Sequence, residues 1–111
     1  MLTDMIVSFD RDIAIKFGVT EAIVLNFILK QLYENGHSSE YFHEGLPWVR
    51  ISSSKIEKKM PFISSFKANR ALKHLVLSGV LKRSDYNESP LDKTPWYTLH
   101  ESWRGKIKMG F

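Results

Sequence analysis

Apolar and polar residues alternate along this chain with two different periods. Over residues 61–79 the period is helical. At about 100° per residue, Ala68, Ala71, Leu72, Leu75, Val76 and Gly79 fall on one side. Phe66, Asn69, Arg70, Lys73 and Leu77 fall opposite, with Lys67 and His74 at the flank. The pattern predicts a helix over residues 64–78 that buries one face and offers cationic and amide groups on the other. Ser64 suits its N-cap. Ile63 and Ala68 then take the two positions of a hydrophobic staple, and Gly79 takes the left-handed stop. Residues 80–83 and 96–99 are β-branched, apolar or aromatic enough for short strands. Residues 84–95 between them are rich in Asp, Asn, Ser and Pro, as a hairpin connection should be.

Three further helix patterns precede that stretch. Residues 10–17 place Ile13, Ala14 and Phe17 on one side, with Gly18 as a stop. Thr20 suits the cap of a longer helix reaching about Glu34, with Asn35-Gly36 as its stop. Its main stripe is Ala22, Leu25, Ile28, Leu29, Leu32 and Tyr33, while Ile23 and Phe27 form a second apolar side. A helix apolar on two sides is covered by two neighbours, here the preceding helix or a second subunit. Residues 37–44 read as a polar loop and 46–51 as a short strand, with Pro47 suited to its start or to an edge. Ser54-x-x-Glu57 matches a capping box for a helix with Ile56 and Met60 on one face, ended by Pro61. Two short helices joined by a tight turn and followed by a hairpin predict an α+β, mainly α fold. The architecture is a winged helix-turn-helix of three to four helices with a small antiparallel β-sheet and wing. Residues 1–99 form this domain. Residues 100–111 form a tail or short helix that carries Trp103, Ile107, Met109 and Phe111.

Composition sharpens this picture. The chain has 111 residues, 43% hydrophobic and 13% aromatic, enough for one domain with a real core. It has no cysteine, which excludes disulfides and thiolate chemistry and fits a cytoplasmic protein. Residues 1–12 lack the basic and apolar regions of a signal peptide, and no apolar run is long enough to span a bilayer. The net charge of +4 is unevenly spread. Residues 1–49 carry three bases against seven acids, and residues 50–83 carry nine bases against one acid, Glu57. The cations concentrate on the helix-turn-helix, as phosphate binding requires.

Catalytic and metal chemistry find little support. Asp10-x-Asp12 resembles the start of a calcium loop but lacks its glycine and distal glutamate, so these acids are expected to complement a helix dipole. His37 and His43 have no zinc-motif spacing. There is no P-loop, zinc-protease helix or nucleophile elbow. The expectation is a non-enzyme without cofactor or metal.

The order of the pieces is also familiar. Asp10-Arg11-Asp12-Ile13-Ala14, Gly18-Val19-Thr20-Glu21-Ala22-Ile23-Val24-Leu25, Trp48-Val49, Pro61-Phe62-x-Ser64, Ala71-Leu72-x-x-Leu75-x-x-x-Gly79-x-Leu81 and Thr94-x-Trp96-Tyr97-Thr98-Leu99 follow one another. Together they resemble the N-terminal winged-helix domain of phage and mobile-element replication-initiation proteins, the DnaD-like proteins among them. The resemblance implies duplex DNA binding near an origin or operator, often with self-association. Phe66 departs from it, since the family's recognition helix usually opens with polar residues.

On this reading the helix 64–78 enters the major groove. Arg70 reaches guanine O6/N7 and Asn69 adenine N6/N7, with Ser64, Ser65 and Lys67 on bases or phosphate. Phe66 meets a thymine methyl group if it is exposed, or packs on the preceding turn if it is not. Arg50, Lys55, Lys58, Lys59 and Lys73 hold phosphates, and Lys82, Arg83 and Lys93 carry the wing 82–95 onto the adjacent backbone or groove. Ile23, Phe27 and Trp103 are candidates for self-association as a homodimer. The competing reading is a protein-interaction module that binds a host or replication partner. Single-strand binding by stacking on Trp48, Trp96 or Tyr97 ranks third.

Overall fold

A computed structural model describes residues 8–105. Asp10 opens α1 (Arg11–Phe17), its carboxylate accepting the Ile13 N–H at 3.0 Å. That is an N-cap. Gly18, at φ +114°, turns the chain directly into α2 (Val19–Asn35). Helix α2 therefore begins before Thr20, and Gly18 rather than Thr20 occupies the cap. A side chain at Gly18 would also press on the Glu21 carboxylate, 2.7 Å from the position of a Cβ.

Helix α2 is the central element. It touches α1, α4 and the strands that follow, and Ala22, Val24, Leu25, Ile28, Leu29 and Leu32 are all buried. On its second apolar side Ile23 and Phe27 are half-buried against the same core, as is Trp103 from the C-terminal segment. The three residues expected to mediate self-association pack in part against this core, and each keeps some of its surface exposed. Ile23 and Phe27 lie on α2, and Trp103 closes over Phe17 edge-on at 5.8 Å.

Residues 37–51 differ from the expected loop and single strand. A 3-10 turn (Ser39–Tyr41) leads into a minimal hairpin, β1 (Phe42–His43) paired with β2 (Leu46–Pro47). Glu44 and Gly45 join them, both at positive φ, as a two-residue hairpin turn demands. The chain then breaks off at Trp48, whose N–H donates to Tyr41 O at 2.8 Å, before β3 (Val49–Arg50) joins another sheet. Pro47 has no N–H with which to continue a ladder.

The second sheet has the order β3-β5-β4, with β4 (Leu81–Ser84) and β5 (Trp96–Leu99) antiparallel. Central β5 is buried along its whole length because it is covered on both faces. Tyr97 and Leu99 join the helical core. Trp96, on the alternate face, meets Tyr41, His43 and Tyr86 in an aromatic cluster that also takes in Trp48. Within it the His43 and Tyr86 rings stack at 4.1 Å, and Trp48 Nε1 donates to His43 O.

Helix α3 (Ser53–Lys59) and α4 (Ser65–Leu77) complete an α+β architecture that is mainly helical, with four α-helices among the described residues. Glu101–Trp103 form a 3-10 turn; residues 106–111, with Ile107, Met109 and Phe111, lie outside the described residues, as do residues 1–7. No helix among the described residues is long and apolar enough to cross a membrane.

Candidate nucleic-acid interface

The helix pair α3–α4 is fixed by its caps. Ser52, not Ser54, caps α3, its hydroxyl accepting the Lys55 N–H at 3.2 Å. Glu57 is not part of a capping box. Its carboxylate reaches across the turn to accept the Ser65 N–H at 3.1 Å, at the start of α4. Ser64 caps α4 by accepting the Lys67 N–H at 3.2 Å. One acid from α3 and one hydroxyl from the turn thus satisfy two of the free donors of α4 and lock the angle between the helices. At the other end the Val80 N–H returns to Leu75 O at 2.9 Å and the Gly79 N–H to Val76 O at 3.1 Å. With Gly79 at φ +75°, this is a Schellman stop.

The buried side of α4 is Ala68, Ala71, Leu72 and Leu75. Its other side carries Phe66, Lys67, Asn69, Arg70 and Lys73, all exposed. The helix stands between two clefts. The larger, about 520 Å³, separates it from the start of α2 and is lined by Thr20, Glu21, Lys67, Arg70, Lys73 and His74. The smaller, about 200 Å³, separates it from the sheet, with Leu72, Val76, Leu77 and Tyr97 below Lys73 and Arg83. Burial pushes the Tyr97 hydroxyl pKa up, against the opposing pull of Arg83. His74 spans the larger cleft, its Nδ1 2.6 Å from Glu21 Oε2, and its ring meets Phe17 edge-on.

The expected site residues divide into two groups. Lys55, Lys58, Lys59, Lys67, Arg70, Lys73, Arg83 and Lys93 are exposed, and none pairs with an acid among the described residues. Arg50 and Lys82 are engaged. Lys82 lies 3.7 Å from Glu44, on the turn of the β1–β2 hairpin. Arg50 pairs with Asp92, and its Nε donates to Asn87 Oδ1 at 3.0 Å. The Ser64 hydroxyl caps α4, while the N–H of Ser65, the first residue of that helix, is taken up by Glu57. Phe66 does not pack on the preceding turn: it is 70% exposed, with the Arg70 guanidinium 5.8 Å from its ring centroid.

Residues with no assigned role in the sequence hold the β4–β5 loop. Asn87 is the hub. Its side chain accepts from Arg50 and from Trp96 Nε1 and donates to the carbonyls of Asp92 and Thr94. Asp92 in turn accepts the Thr94 N–H at 3.0 Å. That amide, the Thr94 hydroxyl and then Arg50 lower the Asp92 pKa to about 2. The only advance signal was the run of Asn, Asp and Thr in a long connection. The loop's outer part is not purely cationic: the stretch that carries Lys93 also carries Asp85, Glu88 and the 88% exposed Leu91.

Comparison with models of protein families, with curated proteins and with solved structures found no match to this chain.

Proposed function

We propose that the chain is a winged helix-turn-helix protein that binds duplex DNA, with α4 in the major groove and β4 against the neighbouring backbone. The observation that carries this reading is the exposed row Phe66, Lys67, Asn69, Arg70 and Lys73 on a helix set off by clefts on both sides, its cations unpaired among the described residues. A major groove about 12 Å wide admits such a helix. Lys55, Lys58 and Lys59, on the partner helix of the turn, supply phosphate contacts that set its register. Arg50 and Lys82 already face acids, Asp92 and Glu44, and are expected to contribute less to phosphate binding than the unpaired cations. The resemblance to replication-initiation domains suggests action at an origin or operator of a phage or mobile element, in replication initiation or transcriptional regulation, without enzymatic activity.

A fluorescence-anisotropy titration against random-sequence duplex at two salt concentrations tests this, with single-stranded DNA alongside. Duplex binding that weakens steeply with salt is expected. Absence of duplex binding at low salt would overturn the reading. A second reading, docking of a protein partner, is favoured by a different observation: Ile15, 77% exposed, and Val19 leave apolar surface uncovered at the α1–α2 corner. A stable heteromeric complex without DNA affinity would favour it.

A further inference from the structure

Phe66 is out of place in the fold. Ile63 and Ala68 are buried on either side of it in sequence, so the core does not need it, yet a large apolar ring stands exposed among Lys67, Arg70 and Lys73. Phe62, in the preceding turn, is 58% exposed as well. Phe66 sits in the first turn of α4, the part of a reading helix that meets base edges. Arg70 is one turn further on the same side, its guanidinium 5.8 Å from the ring. Stacked bases rise by about 3.4 Å per step, so two groups this far apart face base pairs one or two steps from each other.

Arginine at such a position recognises guanine through O6 and N7, and the apolar group that a base edge offers in the major groove is the methyl on C5 of a pyrimidine. Resting on the duplex-binding reading above, we infer that Phe66 and Arg70 act as one unit selecting a 5-methylpyrimidine within two steps of a guanine. The ring covers the methyl group while the guanidinium, held beside the ring, bonds the guanine. Thymine and 5-methylcytosine both carry that methyl. Asn69, Lys67 and Lys73 are too polar to take its place.

The test begins with duplexes selected from a random-sequence pool. Each thymine of the selected site is then replaced by uracil, which removes only the methyl. At one position, within two steps of an essential guanine, affinity should fall about fourfold, the effect of losing one buried methyl group. Phe66→Ala, an exposed substitution whose helix content is checked by circular dichroism, should bind the thymine and uracil duplexes equally. A cytosine pair at that position, with and without its 5-methyl group, separates the sources. A preference for 5-methylcytosine shows that the methyl is read on either base; indifference assigns the site to thymine. Uracil equal to thymine at every position would overturn the inference while leaving duplex binding intact. So would a Phe66→Ala variant that keeps the methyl preference. Failure of the initial duplex titration would remove both readings.

Discussion

Arg70 and Lys58 are exposed cations on adjacent helices, yet they should behave differently when removed. Arg70 sits on the exposed side of α4 beside Phe66, where a bidentate contact to guanine is available. Arg70→Ala should cost about 1–3 kcal/mol on a selected site and far less on scrambled duplex, whereas Lys58→Ala should weaken both alike. Equal losses for Arg70→Ala on the two duplexes would remove it as a base reader. Asp92 gives a prediction of another kind. Its folded pKa of about 2 lies below its ordinary 3.8, so it stabilises the native state fully above about pH 4. That contribution is lost as the pH falls from there toward 2. The melting temperature of Asp92→Asn should therefore decline less than that of the wild type between about pH 5 and pH 2.5. Parallel declines would show that Asp92 carries none of the acid sensitivity. Arg50 explains why such pairs were not legible in advance. It reads as one more phosphate ligand in a basic run, and its partners Asn87 and Asp92 lie 37 and 42 residues away.

At the level of elements, α4 is the best-determined part of the chain because its signals agree. The 3.6-residue period, Ser64 at the start and Gly79 at the end all specify the same helix, and the structure places it at Ser65–Leu77 with those caps. A Cβ added at Gly79 would meet nothing within 4 Å, so replacing this glycine tests conformation alone. Gly79→Ala should destabilise the protein by about 1–2 kcal/mol in urea titration, the strain of a non-glycine residue at positive φ. An unchanged midpoint would mean that the stop tolerates a side chain. Where local signals competed, only tertiary contacts decided. Three consecutive serines can each cap α3; Ser52 does so, and Glu57 is engaged instead with the Ser65 N–H. Strands of two residues, β1 and β2, are too short to show a period, and Glu44-Gly45 lacks the Asn or Asp that marks most such turns. The second apolar side of α2 was visible in the sequence, but not what covers it. Within the chain, Ile23 and Phe27 on that side are partly buried against the common core.

Across the whole molecule, charge is segregated and then partly cancelled, and the cancellation decides which cations are free to meet a polyanion. The sequence alone counts nine bases over residues 50–83. Folding removes two of them: Arg50 is tied to the β4–β5 loop and Lys82 to the β1–β2 turn, both by acids. The seven that remain cluster on α3, α4 and the end of β4, while the outer part of the β4–β5 loop carries Asp85 and Glu88 and would be repelled by phosphate. A duplex therefore should lie along α3, α4 and β4 without engaging that loop's outer part. Salt dependence measures this distribution directly, because each neutralised phosphate contributes about 0.9 to the slope of log K against log salt. Lys58→Gln and Lys73→Gln should each reduce the slope by about that amount. Lys82→Gln should leave it unchanged, since its charge is already balanced by Glu44. Glu88→Gln should strengthen binding slightly or not at all. If Lys82→Gln lowered the slope as much as Lys58→Gln, the Glu44 pair would have to open on DNA, and the bound duplex would extend over the β1–β2 hairpin as well.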